Sequence, residues 1–243
     1  MVVQAVAKKH TAAQADTPPP PPLQPGDHLT RAEFERRYRA HPEIKKAELI
    51  DGVVYMPSPV HHKLHGTPHF NIITWLGVYR AGTPGVEGSD NATVRLDFEN
   101  EVQPDALLRL EAERGGQSQV SADDFLEGPP ELVVEIAASS ASYDMYNKKR
   151  LYARCGVKEY LAIQMYEQKI DWFVLREGVF ETIAPSEDGV LCSEVFPGLW
   201  LKPEAFWEGN LAEMLAVLQK GLASPAHQEF VQTLEKTASQ TNE

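Results

Sequence analysis

Cysteine is nearly missing from this sequence: Cys155 and Cys192 are the only two among 243 residues. Neither has metal-ligand spacing around it, so a disulfide framework and a cysteine-based zinc site are excluded, and a reducing cytoplasm is the expected compartment. Positive charge is also short. There are 23 Lys and Arg against 35 Asp and Glu, a formal net charge of −12. That argues against a protein that coats nucleic acid non-specifically, and it leaves room for an enzyme with a local basic patch and a metal. No stretch approaches the roughly 20 apolar residues of a membrane helix. Met1–Pro25 lacks the apolar centre of a secretory signal. No internal repeat is visible.

What is present is enough chain for one good-sized domain with extensions. Residues 1–26 are Ala-, Gln- and Thr-rich and then carry Pro18 to Pro22 in a row. They read as a disordered or polyproline arm, serving as a spacer or as a ligand for a proline-binding module. The folded domain is expected over 27–208 and a helical extension over 209–243. Thr30 with Glu33 is a capping box, which predicts a short helix over Thr30–Arg39. Asp51-Gly52 is a two-residue hairpin turn between Ala47–Ile50 and Val53–Met56. A helix is expected between His61 and Ala81, with its firm part after Pro68. Val86, Val94–Phe98 and Val102–Leu108 read as strands, and Glu111–Glu127 reads as a surface loop. Ile170–Leu175 and Val179–Ile183 form a second hairpin around Glu177-Gly178. Short strands over Val190–Trp200 and three terminal helices follow. The fold class is α/β (α+β).

The organising stretch is Pro130–Ile163. Leu132-Val133-Val134-Glu135-Ile136 reads as a buried strand, a helix runs from Tyr143 to Cys155 and stops at Gly156, and Tyr160–Ile163 is a second strand. Strand, helix, strand predicts a crossover between parallel neighbours. Glu135 is the anomaly, because a carboxylate inside a buried strand is costly unless a positive group sits beside it.

Three acids, Glu48, Asp105 and Glu135, stand at strand ends or centres. Magnesium takes oxygen ligands, usually a few carboxylates with water and substrate phosphate. Asp105 and Glu135 on adjacent strands, with the Ile136 main-chain carbonyl, would supply such a set, and Glu48 is a further ligand candidate. The ion would lower the pKa of a water and stabilise charge on a phosphodiester. Lys148 is the candidate cation; it shares a helical face with Asp144 and Tyr152, four residues to either side. The plainer alternative is that the acids are ion-pair partners and the lysines a solvated face. His62 and His65 are secondary candidates, either as metal ligands or with one of them lining the cleft, and spacing does not choose between them. Tyr152 is more often core than catalyst.

The residues also resemble a family. Glu48-Leu49-Ile50-Asp51-Gly52, Met56-Pro57-Ser58-Pro59 with its following histidines, Val102-Gln103-Pro104-Asp105, Pro130–Ile136, the Asp144–Leu161 pattern and Phe196–Leu201 occur in the order seen in the Uma-two family. This is a restriction-endonuclease-like family of the PD-(D/E)xK nuclease superfamily. The resemblance spans about Thr30–Phe206, and Gly221–Val231 is similar to a tail seen in some members. It implies a mixed central sheet flanked by helices, with an extra antiparallel meander. It implies a magnesium-dependent nuclease, with manganese as the alternative ion, and an active site of Glu48, Asp105, Glu135 and Lys148. The superfamily lysine normally lies two residues after the second acid. Here that position is Ala137, and Lys148 on the next helix takes its role. Ala137–Ala141 also replaces the usual Leu-Ser-Pro-Ser-Thr. The expected activity is endonucleolytic hydrolysis of DNA by a cytoplasmic homodimer with no membrane association. The other reading is an inactive nuclease-like fold acting as a binding or assembly module.

Overall fold

The computed structural model describes residues 18–57, 61–137 and 142–241, without the side chains of 142–145 and 241. Most of the Pro-rich arm, the altered turn over 138–141 and the Asp144 side chain lie outside the described residues.

Helix α1 (Arg31–Ala40) opens on Thr30, whose Oγ1 accepts a hydrogen bond from the Glu33 N–H at 3.4 Å. Strands β1 (Glu48–Ile50) and β2 (Val53–Tyr55) form the expected hairpin. Both turn residues have positive φ, 51° at Asp51 and 73° at Gly52, as a turn matched to strand twist requires. A π-helical turn, His62–Gly66, leads into α2 (Thr67–Ala81). Pro68 sits inside the first turn of α2, where its missing N–H leaves no bond unmade. Next come β3 (Val86–Asp90), β4 (Val94–Arg95), β5 (Glu101–Val102), β6 (Ala106–Leu110), β7 (Gln119–Val120), β8 (Leu126–Glu127) and β9 (Leu132–Ala137). Helix α3 (Ser142–Cys155) ends at Gly156, with φ at 87°, and leads to β10 (Glu159–Gln164). The chain closes with β11 (Lys169–Arg176), β12 (Val179–Thr182), β13 (Leu191–Cys192), β14 (Trp200–Leu201), α4 (Pro203–Trp207), α5 (Leu211–Leu222) and α6 (Pro225–Thr241).

Among the described residues there are two six-stranded sheets and one two-stranded sheet. The larger sheet runs β12-β11-β10-β9-β6-β3; β9 and β10 are parallel, joined through α3, and the other pairs are antiparallel. The smaller runs β2-β1-β5-β4-β8-β7. The mixed sheet and the hairpin meander follow the expectation.

Three expectations need correction. The single strand over Val102–Leu108 is two strands in different sheets, β5 in the smaller and β6 in the larger. Pro104 has no N–H for a ladder and the Gln103 N–H is taken by Glu48 Oε1 at 2.8 Å, so the chain leaves one sheet there and joins the other. The loop over Glu111–Glu127 contains β7 and β8, and β8 pairs in parallel with β4. Buried Arg95 on β4 draws this segment in through Asp123 at 2.8 Å and Glu127 at 3.4 Å, with the Phe125 ring under its guanidinium. Finally, the packed chain begins before Asp27. Leu23 is buried against Phe34, Leu49 and Val54, and His41 Nε2 lies 2.7 Å from the Pro20 carbonyl.

Period-two alternation sorts the larger sheet's residues onto two faces. Leu132, Val134 and Ile136 of β9 join Leu108, Leu161 and Trp172 under α2, which contributes Ile72, Trp75, Leu76 and Tyr79. The terminal helices cover the same layer, with Met214, Leu218 and Leu234 in this core, so the 209–243 segment packs on the domain. Val133, Leu107, Tyr160 and Ala162 face the other way, toward Leu151 and Tyr152 of α3 and Ile50, Val94 and Val102 of the smaller sheet. Glu135 and Asp105 have the parity of this second face. Among the described residues no helix is long and apolar enough to cross a membrane.

Candidate active site

The larger sheet, the smaller sheet and α3 meet at one buried polar point. Asp105 is one residue before β6, whose Ala106 pairs with Val134 of β9, so Asp105 and Glu135 stand at neighbouring positions across the two strands. Glu48 begins β1 in the other sheet. All three are buried, with 5% exposure at Glu48 and Asp105 and 8% at Glu135.

Lys148 reaches in from α3. Its Nζ lies 2.9 Å from Glu135 Oε1 and 3.0 Å from Glu48 Oε2. Removing this ammonium would leave two buried carboxylates facing each other, which is why a lysine can be tolerated here. Tyr152, one turn further along α3, donates its hydroxyl to the same Glu135 Oε1 at 2.6 Å. Its ring packs on Tyr160, with centroids 5.2 Å apart. It is therefore packed in the core and hydrogen-bonded to Glu135 at once.

Asp105 is held from three sides. Its Oδ2 accepts the Ile136 N–H at 2.8 Å and lies 3.2 Å from His65 Nε2. Its Oδ1 has Lys46 Nζ at 3.8 Å. Of the two candidate histidines, His65 lies against Asp105, whereas His62 is exposed and makes no such contact. Lys46 and His69 were missed. His69 Nε2 lies 2.7 Å from the Asp105 carbonyl oxygen and 3.3 Å from Asp90 Oδ1. Lys46 carried no signal, since it stands in a polar stretch before β1. Asp51 serves its turn and pairs with Arg154 at the surface, away from Lys148. The Cys155 thiol is pushed up to about 12 by burial, with Asp97 beside it, so it stays protonated and inert.

Charge balance is the main property of the site. Burial, with help from Asp105 and Glu48, pushes the Glu135 carboxyl up to about 7 against the pull of Lys148 and Tyr152. Burial works against both Asp105 and Lys148, and the partners win in each case. His65, Lys46 and the Ile136 N–H hold the Asp105 carboxyl low, and Glu135 with Glu48 hold the Lys148 ammonium high. Three carboxylates thus face two ammonium groups, a surplus of negative charge that either a proton on Glu135 or a cation relieves.

The donor set fits a hard divalent cation. Both hydrogen bonds to Glu135 fall on Oε1, and the one to the Asp105 carboxylate falls on Oδ2, where His65 Nε2 also lies 3.2 Å away. One oxygen of each acid is thus left without a hydrogen bond to another described residue. No group of three or more His, Cys, Asp or Glu side chains is arranged as a metal cage among the described residues. Magnesium does not need one, since it commonly binds through one or two carboxylates plus water and substrate phosphate.

The family model of Uma2, described as "Putative restriction endonuclease", matches residues 31–204. The chain belongs to this family, and so to a nuclease-like group of proteins. Its fold is similar to that of a solved structure described as "a putative nuclease belonging to DUF820 from Anabaena variabilis ATCC 29413". The two share 10% identity, and the superposition has a TM-score of 0.53 over 68% of this chain and 90% of that chain. A likeness at that identity is one of fold. No curated protein matches the chain.

Proposed function

We propose that this protein is a divalent-metal-dependent endonuclease that hydrolyses DNA phosphodiester bonds through Glu48, Asp105, Glu135 and Lys148. The observation that supports this most directly is the buried bridge from Lys148 to both Glu48 and Glu135, with Asp105 one strand away. Asp105 and Glu135 would hold magnesium or manganese, with the Ile136 carbonyl and Glu48 as further oxygen ligands. When bound, the ion supplies Lewis-acid stabilisation of phosphate charge and a water more acidic than bulk. Lys148 keeps a positive charge next to the reacting phosphate, where preorganised charge is most effective. Tyr152 fixes Glu135 through Oε1, and Lys46 offsets charge at Asp105. Cutting both strands of a duplex needs two such sites, so the reading extends to a homodimer, placed in the cytoplasm.

The test is cleavage of supercoiled plasmid DNA with magnesium. The parent is expected to cut, and Asp105→Ala and Glu135→Ala are expected to lose cutting altogether. Equal rates in parent and variants would remove the assignment.

A second reading is a nuclease-like fold kept as a binding or assembly module. It is favoured by the absence of a three-acid cage among the described residues and by a lysine already paired with two acids. Calorimetry separates the two: manganese binding abolished by Asp105→Ala supports the enzyme, and no manganese binding supports the module.

A further inference from the structure

Asp105 is gripped by two histidines four residues apart, and only one of its three oxygens is left outside that grip. His65 stands in the π-helical turn His62–Gly66, where an irregular turn re-aims side chains at the entry to α2. Its Nε2 lies 3.2 Å from Asp105 Oδ2, the oxygen that also accepts the Ile136 N–H. A carboxylate only accepts, so Nε2 carries the hydrogen. The other ring nitrogen, Nδ1, is buried with no hydrogen-bond partner. One turn on, His69 Nε2 lies 2.7 Å from the carbonyl oxygen of the same Asp105, and the two rings are 5.4 Å apart. An unpaired nitrogen in a buried position asks for an explanation, since an apolar side chain would fill the space without that cost. The donor on the opposite side of the ring provides one.

Resting on the nuclease reading above, we propose that His65 is a positioning residue. It holds Asp105 Oδ2 together with the Ile136 N–H, so that the carboxylate cannot rotate and Oδ1 is presented to the divalent ion. Partners behind a metal ligand set its orientation and commonly change metal affinity by about 10–100-fold. The role needs only a donor at the Nε2 position. His65→Gln supplies one, whereas His65→Leu keeps bulk and removes it.

The experiment is calorimetric titration of manganese into the full chain without DNA, for parent, His65→Leu, His65→Gln and Asp105→Ala, with thermal unfolding of each. The expected result is binding weakened about 10-fold or more in His65→Leu and kept within a few-fold of parent in His65→Gln. The two variants should unfold at similar temperatures without metal. His65→Leu binding as tightly as parent, or His65→Gln as weakly as His65→Leu, overturns the role of His65 alone. Parent binding that Asp105→Ala leaves unchanged, or no binding by parent, overturns the nuclease reading and this inference with it.

Discussion

Lys148 and Glu135 meet at 2.9 Å, one on a helix and the other on the strand before it, with 13% and 11% of their side chains exposed. An ion pair in such a place is a poor source of stability, because desolvation offsets most of the attraction. It is a strong constraint once made, since either partner alone is far worse than both.

Lys148→Met is therefore expected to destabilise the protein by about 3–5 kcal/mol and to abolish cleavage. Adding Glu48→Gln and Glu135→Gln to it should return most of the stability and none of the activity. Urea unfolding of the single and triple variants checks this. A triple variant no more stable than the single one would show that the loss was one of packing.

The raised Glu135 carboxyl makes the metal-free fold sensitive to pH. Its value is about 7 in the fold against 4.5 for the free group. Below 4.5 the group is protonated in both states and costs nothing extra. As pH rises through about 7, the fold must ionise a buried acid, so this contribution to stability is lost. Metal needs the ionised form, so manganese affinity should rise with pH until about 7 and then level. Proton release should accompany binding at about pH 6, read by calorimetry in buffers of different ionisation heat. Glu135→Gln removes the dependence, and a parent affinity that is flat across this range would contradict it.

Leu23→Ala tests the packing of the end of the Pro-rich arm on the domain. Leu23 is 2% exposed and packs on Phe34, Leu49 and Val54, so truncation should cost about 2–5 kcal/mol. Because Leu49 follows Glu48, cleavage should fall as well. Thermal unfolding and plasmid cleavage would show both losses; unchanged values in both would mean that the segment is only laid against the surface.

Gly221→Ala inverts the usual helix rule. Alanine in place of a helical glycine normally gains about 1 kcal/mol. Here the added methyl would overlap the Gly198 carbonyl oxygen and approach Trp200 Cγ to 2.9 Å. The expected net effect is a loss of about 1–3 kcal/mol, measured by denaturant unfolding.

Much of the site could be read from the chain because its signals are local. An acid inside an apolar strand and a lysine on the following helix are visible without coordinates, and so is the Asp51-Gly52 turn. Gly198 and Gly221 were legible as parts of two motifs, and the structure gives the physical reason: the two backbones touch. What could not be read depends on distant partners. Lys46 reaches Asp105 across 59 residues, and nothing near it signals that meeting; His65, 40 residues from Asp105, was a candidate beside His62, but spacing did not choose between them. The change of sheet between Val102 and Ala106 looks like one strand, because apolar residues flank it on both sides. Strands β7 and β8 are two residues each, too short for any periodicity to register.

Glu48 and Glu135 belong to separate sheets, and Lys148 is the rivet between them. A one-residue slip of β1 against β2 and β5 would turn Glu48 to the other face and leave the ammonium with half its counter-charge. On the proposed nuclease reading, cleavage would gauge domain integrity: a partner, nick or mutation that parts the two layers would separate Lys148 from Glu48.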